Sequence, residues 1–241
     1  RSPSGVKISA AGEQYLQRVS SALAVLTSAT RDIQGGVQHG LYVHASPSLA
    51  SLWLMPRLAH FAAAHPDISL FLSASHVHSD FAAGLVDVDI RYGAPNWPNL
   101  VVEPLFKEWV MPLISPLLKQ RLQLSTPADV LHAPLIQSAV SVVQWGDWLS
   151  KAGVALWPER YALRFDRAQL SLDAAAQGLG IALESTTMAA SYIQSGALVS
   201  LFDAALARRV QAHFIVYPKR HAKRAVTRTL VNWLTNRDEK E

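Results

Sequence analysis

The sequence predicts an α/β fold of two lobes, joined by two extended crossings and preceded by one long helix. Three observations carry this expectation. Strand-like and helix-like patterns alternate in two separate blocks; two long extended segments, Leu100 to Ile114 and Arg209 to Tyr217, flank the second block; and an apolar seam opens the chain. The seam runs through Tyr15, Val19, Ala22, Leu26, Ala29 and Ile33, in alternating steps of four and three residues. That spacing marks one face of a helix and suits pairing with a second copy, against the alternative of an amphipathic helix lying on its own domain. The helix is expected from about Ala10 to Ile33, with Ser9 as N-cap and Glu13 in the first turn, where the dipole favours an anion. Gly35-Gly36 is its stop signal.

In the first block, Leu41 to Ala45 reads as a strand ending at Ser46-Pro47-Ser48. A helix over Leu49 to Ala64 follows, bent at Pro56, which lacks an amide donor. Ile68 to Leu72 is a strand, Phe81 to Leu85 the end of a helix, and Val86 to Arg91 a strand. This order implies a parallel sheet with right-handed crossovers. The second block repeats it, with strands over Pro134 to Gln137, Tyr161 to Phe165 and Gly180 to Leu183, and helices over Trp145 to Ala152 and Ser171 to Ala176. A helix of about Ala222 to Asn236 closes the chain. Two crossings between two such lobes create a cleft, a favoured place for a ligand.

Composition narrows the function. Of 241 residues half are hydrophobic and 17% charged, which supports a packed core rather than a disordered chain. A net charge of +4 along this length does not make a nucleic-acid patch. The absence of cysteine excludes disulfides, thiolate zinc sites and cysteine nucleophiles. No apolar run of about 18 residues predicts a spanning helix, and no basic n-region precedes an apolar h-region. The chain opens Arg1-Ser2-Pro3-Ser4-Gly5 without methionine, so a piece of a longer protein is expected.

Catalytic signatures are missing. No His-Glu-x-x-His, P-loop, Gly-x-Gly-x-x-Gly or Gly-x-Ser-x-Gly pattern occurs, and Gly178-Leu179-Gly180 precedes a strand rather than a helix. No enzyme activity, cofactor or metal is expected. His76-Val77-His78 reads as a short polar loop, Trp145 and Trp148 as core in preference to a ligand cage, and the basic run Lys219-Arg220-His221 with Lys223-Arg224 as a solvated helix face.

Several segments together resemble the LysR-type transcriptional regulators, and their glycine-cleavage-activator branch in particular. Gly5 to Gly12 is similar to the junction that follows the family's winged helix-turn-helix, and the apolar seam to its linker helix. Leu54-Met55-Pro56-Arg57-Leu58, Phe61 and His65-Pro66-Asp67-Ile68 resemble the first helix and second strand of its effector domain. Gly84 to Gly93 matches its Gly-x-x-Asp-x-x-Ile-Arg-x-Gly pattern. Ala174 to Leu183 matches Ala-x-x-Gly-x-Gly, and Gly196-Ala197-Leu198-Val199 matches Gly-x-Leu-Val.

The resemblance implies a two-lobe, periplasmic-binding-protein-like effector domain. On it, residues 1–9 are the remnant of the junction, 10–38 the linker or dimerisation helix, 39–112 with 209–241 the first lobe, and 113–208 the second. It implies a cytoplasmic regulator that senses a small effector, forms a homodimer or homotetramer, contacts no membrane and binds promoter DNA through a domain before Arg1. The alternative is a free-standing solute-binding module of the same fold; an unrecognised enzyme is a third reading that the missing motifs disfavour.

The resemblance also assigns site residues. Ser46 and Ser48 form one wall, where a helix start favours an anion such as a carboxylate; Ser48 alternatively caps the helix. Arg91, Tyr92 and Gly93 form the second wall, with Arg91 either meeting an anionic effector or neutralising Asp89. Ser138, Ser141, Glu184 and Ser185 form the opposite wall. Related sequences often carry an apolar residue at the position of Glu184, so its carboxylate marks a departure. It either accepts bonds from an ammonium group, in an amino acid or similar zwitterion, or faces solvent.

Overall fold

The computed structural model describes residues 8–34 and 40–235. Helix α1 spans Ala10–Gln34, close to the expected length, and passes against the 3₁₀ turn Phe81–Ala83. The stop at Gly35-Gly36 and the junction around Gly5 lie outside the described residues.

From residue 40 the strands are β1 (Gly40–Ala45), β2 (Ser69–Ala74), β3 (Val88–Tyr92), β4 (Leu100–Ile114), β5 (Leu135–Ser138), β6 (Leu163–Phe165), β7 (Ile181–Ser185), β8 (Val199–Ser200) and β9 (Arg208–Pro218). The helices are α2 (Pro47–Leu49), α3 (Met55–Ala64), α4 (Pro116–Leu122), α5 (Trp145–Lys151), α6 (Ala168–Ala176), α7 (Ala190–Gln194) and α8 (Ala225–Thr235).

Among the described residues these strands form one mixed sheet in the order β2-β1-β3-β9-β4-β7-β5-β6, with β8 beside β4. Its two ends are parallel triplets, β2-β1-β3 and β7-β5-β6, as the two blocks imply. The long strands β4 and β9 join them as an antiparallel pair. The far half of β9 pairs with β3 through Asp89↔Val216, and the far half of β4 pairs with β7 through Pro112↔Leu183. Each long strand therefore begins with one triplet and ends with the other.

Two expected helices change form. Phe81 to Leu85 is a single 3₁₀ turn, Phe81–Ala83, closed by Gly84 at φ 67°. Its N-cap Asp80 accepts the amide of Ala82, which sets where the turn begins, and Gly84 ends it after three residues. The helix expected from Leu49 begins earlier, at Pro47, and runs to Ala64 through a π-helical stretch, Ala50–Leu54. Met55 donates to the carbonyl of Ala50, so the ladder shifts by one residue just ahead of Pro56. Pro56 then falls in the first turn of α3, where its missing donor costs no bond. A further helix, α4, has its hydroxyl cap in Ser115, which accepts the amide of Leu118.

The larger core lies under the first triplet, where Phe61 of α3 meets Trp233 of α8 edge-on at 5.0 Å. The second lies under β7 and β5 around Trp145 and Trp148, fully buried and T-shaped at 5.9 Å. Trp145 donates its indole N–H to the carbonyl of Ile136. The tryptophans are core.

The basic run before α8 is corrected in part. Arg224 and His221 both meet the buried carboxylate of Asp87, and Arg220 donates to the carbonyl of Phe81 at 2.9 Å. These side chains tie the C-terminal segment to Phe81 and to Asp87 just before β3, while Lys219, Arg220 and Lys223 remain exposed as a solvated face implies. Among the described residues no helix is long and apolar enough to cross a membrane.

Candidate functional site

A cavity of about 310 Å³ opens between the two strand triplets. The carboxyl ends of the parallel strands supply its walls: His44 from β1, Arg91 and Tyr92 from β3, Ser138 from β5, Glu184 and Ser185 from β7. The middles of the crossing strands supply its floor, Glu108 from β4 and His213 from β9. Ser46 and Ser48 border it at the start of the helical run, and Ser141 stands beyond β5. Gly93, the ninth residue expected there, is not among the lining residues; its amide donates to Ala212.

Three of the expected alternatives meet a definite geometry in the structure. Arg91 serves Asp89: its Nε donates to Oδ2 at 2.9 Å and its Nη2 to the carbonyl of Ser79 at 2.9 Å. The guanidinium is also flanked by the rings of Phe81 and Trp97. Asp89 Oδ1 meets His44 Nδ1 at 2.9 Å, and Oδ2 accepts the amide and hydroxyl of Ser79. Burial alone would raise the pKa of Asp89, yet these bonds outweigh it and hold the carboxyl below its ordinary range.

Ser48, second, does not cap the helix. The N-cap position is Ser46, whose side chain makes no capping bond. Ser48 Oγ instead accepts the amide of Gln169, at the start of α6, at 3.2 Å. Ser51 donates to Oε1 of the same Gln169 at 2.8 Å. Tyr92 makes a second bridge across the cleft, its hydroxyl accepting the amide of Val142 at 3.1 Å. Burial, first, and then the charge of Glu108 push the Tyr92 hydroxyl well above its ordinary pKa.

Glu184, third, does not face solvent: the residue is 4% exposed, and Oε1 has no hydrogen-bond partner. The expected strand ends at Leu183, but β7 continues to Ser185, which keeps Glu184 inside the sheet. Burial pushes its carboxyl up to about 8, although the hydroxyls of Ser138 and Ser171 beside it act in the opposite direction and Glu108 adds to the rise.

His76 and His78, read from sequence as a polar loop, also line the cavity. His78 packs edge-on against Trp97 at 5.6 Å, and burial together with Arg91 lowers its pKa. No group of three or more metal-ligating side chains occurs among the described residues. Sequence reasoning missed Glu108 and His213. The sequence carries no clean signal for Glu108, since Phe106-Lys107-Glu108-Trp109-Val110 does not alternate apolar with polar; only the structure shows Phe106, Glu108 and Val110 buried with Lys107 and Trp109 turned outward.

A cleft closed by two crossing strands, with polar groups gathered at the carboxyl ends of both parallel sets, defines a two-lobe ligand-binding domain. The family described as "LysR substrate binding domain" matches residues 34–239, and the chain belongs to the LysR-type transcriptional regulators, as their effector-binding domain. It is 37% identical over 237 residues to the HTH-type transcriptional regulator y4mQ of Sinorhizobium fredii, covering 98% of this chain and 78% of that protein. It is 36% identical to the glycine cleavage system transcriptional activator of Escherichia coli, covering 80% of this chain and 63% of the activator. The effector domain of the regulator AmpR of Pseudomonas aeruginosa has the same fold, with a TM-score of 0.71 and 29% identity over 82% of this chain and 94% of that one. These relatives are transcriptional regulators, not enzymes.

Proposed function

We propose that the cavity is the effector site of the regulator and that it takes an amino acid or a similar zwitterion. The observation that carries the reading is Glu184, a buried carboxyl with one oxygen unpartnered at the cavity wall. Burying such a group costs free energy unless a donor reaches it, and a ligand ammonium is the donor that fits best. The opposite end offers Ser46, Ser48 and the first amides of a helical run, which have no partner within the helix and favour a carboxylate. The ligand would then join the two lobes where Ser48 already meets Gln169.

A thermal-shift panel of amino acids, aromatic acids and sugars identifies the class, since a ligand at 100 times its dissociation constant adds about 2.7 kcal/mol of stability. Calorimetry on the best amino acid then compares the unmodified chain with Glu184→Gln. The variant should bind more than tenfold more weakly, a loss above about 1.4 kcal/mol. Unchanged affinity overturns the assignment.

The wider reading is a cytoplasmic regulator whose homodimer or homotetramer forms partly through α1. Its partner is promoter DNA, read by a helix-turn-helix domain such as the names of its relatives print. We take residues 39–112 with 209–241 as the first lobe and 113–208 as the second. Effector binding would act by shifting the arrangement of lobes or subunits. The exposed apolar side chains of Tyr15 and Leu26 support the role of α1.

A further inference from the structure

We infer that Glu108 and Glu184 together form a two-carboxylate subsite, and that the effector carries two cationic nitrogen groups, as a diamino or guanidino acid does. The inference rests on the effector-site reading above and adds to it the chemistry of the ligand's side chain.

Among the acidic side chains that line the cavity, Glu108 and Glu184 are the buried ones with oxygens that make no hydrogen bond. Asp89 is answered by Arg91 and His44, each at 2.9 Å. Asp166 lies 3.6 Å from Arg167 and 3.9 Å from His76. Glu108 is 1% exposed, and neither of its oxygens has a hydrogen-bond partner. Its nearest cationic candidate is His213, whose Nδ1 stands 3.5 Å away and itself makes no hydrogen bond. The imidazole is held between Tyr92, at 4.7 Å, and Phe106, at 4.9 Å, so it is packed in place rather than free to turn toward the carboxylate.

The backbone explains why a carboxylate sits here. The pairing of β4 with β9 shifts register between Pro104 and Phe106 and again between Phe106 and Glu108. Irregularities of this kind re-aim side chains and concentrate beside binding sites. This one turns Glu108 into the floor midway along a crossing strand. Ionising a buried carboxyl costs free energy and two near each other repel as well, which is why Glu184 keeps its proton into the neutral range while no cation is bound. Both costs fall when a ligand brings two positive groups. A single ammonium leaves one carboxylate unanswered. The cavity, at about 310 Å³, is at the small end of ligand pockets, which suits an amino acid better than a peptide.

The test is calorimetry of the chain with L-lysine, L-ornithine and L-arginine against L-norleucine, which has the length of lysine without the second amine. At least one of the three should bind ten times more tightly than norleucine, and Glu108→Gln should reduce that ratio below threefold. Equal binding of norleucine, or a preference that survives Glu108→Gln, overturns the inference and leaves the zwitterion reading standing. Failure of all four to bind overturns the inference, while the zwitterion reading is decided separately by the wider amino-acid panel. If Glu108→Gln does not fold, the ligand series on the unmodified chain still decides.

Discussion

Glu184 is a buried acid with a consequence for stability that does not depend on any ligand. Its carboxyl is raised from 4.5 to about 8 in the folded chain, mainly by burial. A group raised in this way stabilises the fold fully below its ordinary pKa, and the contribution fades as pH rises toward the folded value. The groups facing it are Glu108 on β4, Tyr92 on β3, Ser138 on β5, Ser171 on α6 and Ser185 on its own strand. Glu108 opposes ionisation and the serines favour it. The melting temperature of the ligand-free chain should therefore fall as pH rises from about 5 to 8. Glu184→Gln, which cannot ionise, should flatten that slope; an unchanged slope refutes the assignment. Asp89, held low by His44, Ser79 and Arg91, acts in a separate acidic window. A carboxyl was legible in the sequence at each of these positions. Which one is satisfied and which is left unpartnered was not, because partners such as His44 and Ser79 come from distant segments.

At the scale of elements, Ala174 to Leu183 shows how a sequence pattern becomes a physical requirement. Gly178 sits at φ 75° after α6, a conformation that side chains resist. Gly180 has a different reason, since a Cβ there would lie 2.5 Å from the carbonyl oxygen of Pro134, just before β5. Gly180→Ala should destabilise the fold by about 1–3 kcal/mol, as overpacked sites do. At about 2–4 °C per kcal/mol for a chain of this size, thermal unfolding resolves the loss. A melting point equal to that of the parent refutes the close-approach argument. Periodicity located the strands well, and Leu100–Ile114 has the expected bounds. It failed where the helical ladder stops or shifts. Gly84 closed one expected helix as a single turn, and another passes through a π stretch just ahead of Pro56.

At the scale of the molecule, α1 carries Tyr15 and Leu26 at 72% and 63% exposure, with Leu16 and Leu23 also exposed. Val19 is partly exposed and Ala22 exposed, while the side chains of Ala29 and Ile33 lie outside those described. Exposed apolar side chains gathered on one long helix favour burial against a partner surface. On the proposed pairing, Leu26→Lys should convert a dimer into a monomer in sedimentation at micromolar concentration. A parent chain that sediments as a monomer overturns the pairing, and a variant that stays dimeric moves it to another surface.

The two blocks of strands and helices, the two long crossings and the family followed from the sequence, because periodicity, turn residues and short motifs are local properties. Eight of the nine expected site residues border the cavity for the same reason: they stand at or beside strand ends that local patterns reveal. Arg91's commitment to Asp89, the bridge from Ser48 to Gln169 and the exposure of Glu108 and Glu184 to one shared cavity are tertiary facts. Each depends on segments far apart in the chain, such as residues 48 and 169, being brought within a hydrogen bond's length. Burial and the pairing of charges are properties of that packing, so the chemistry of the site emerges only once both lobes are in place.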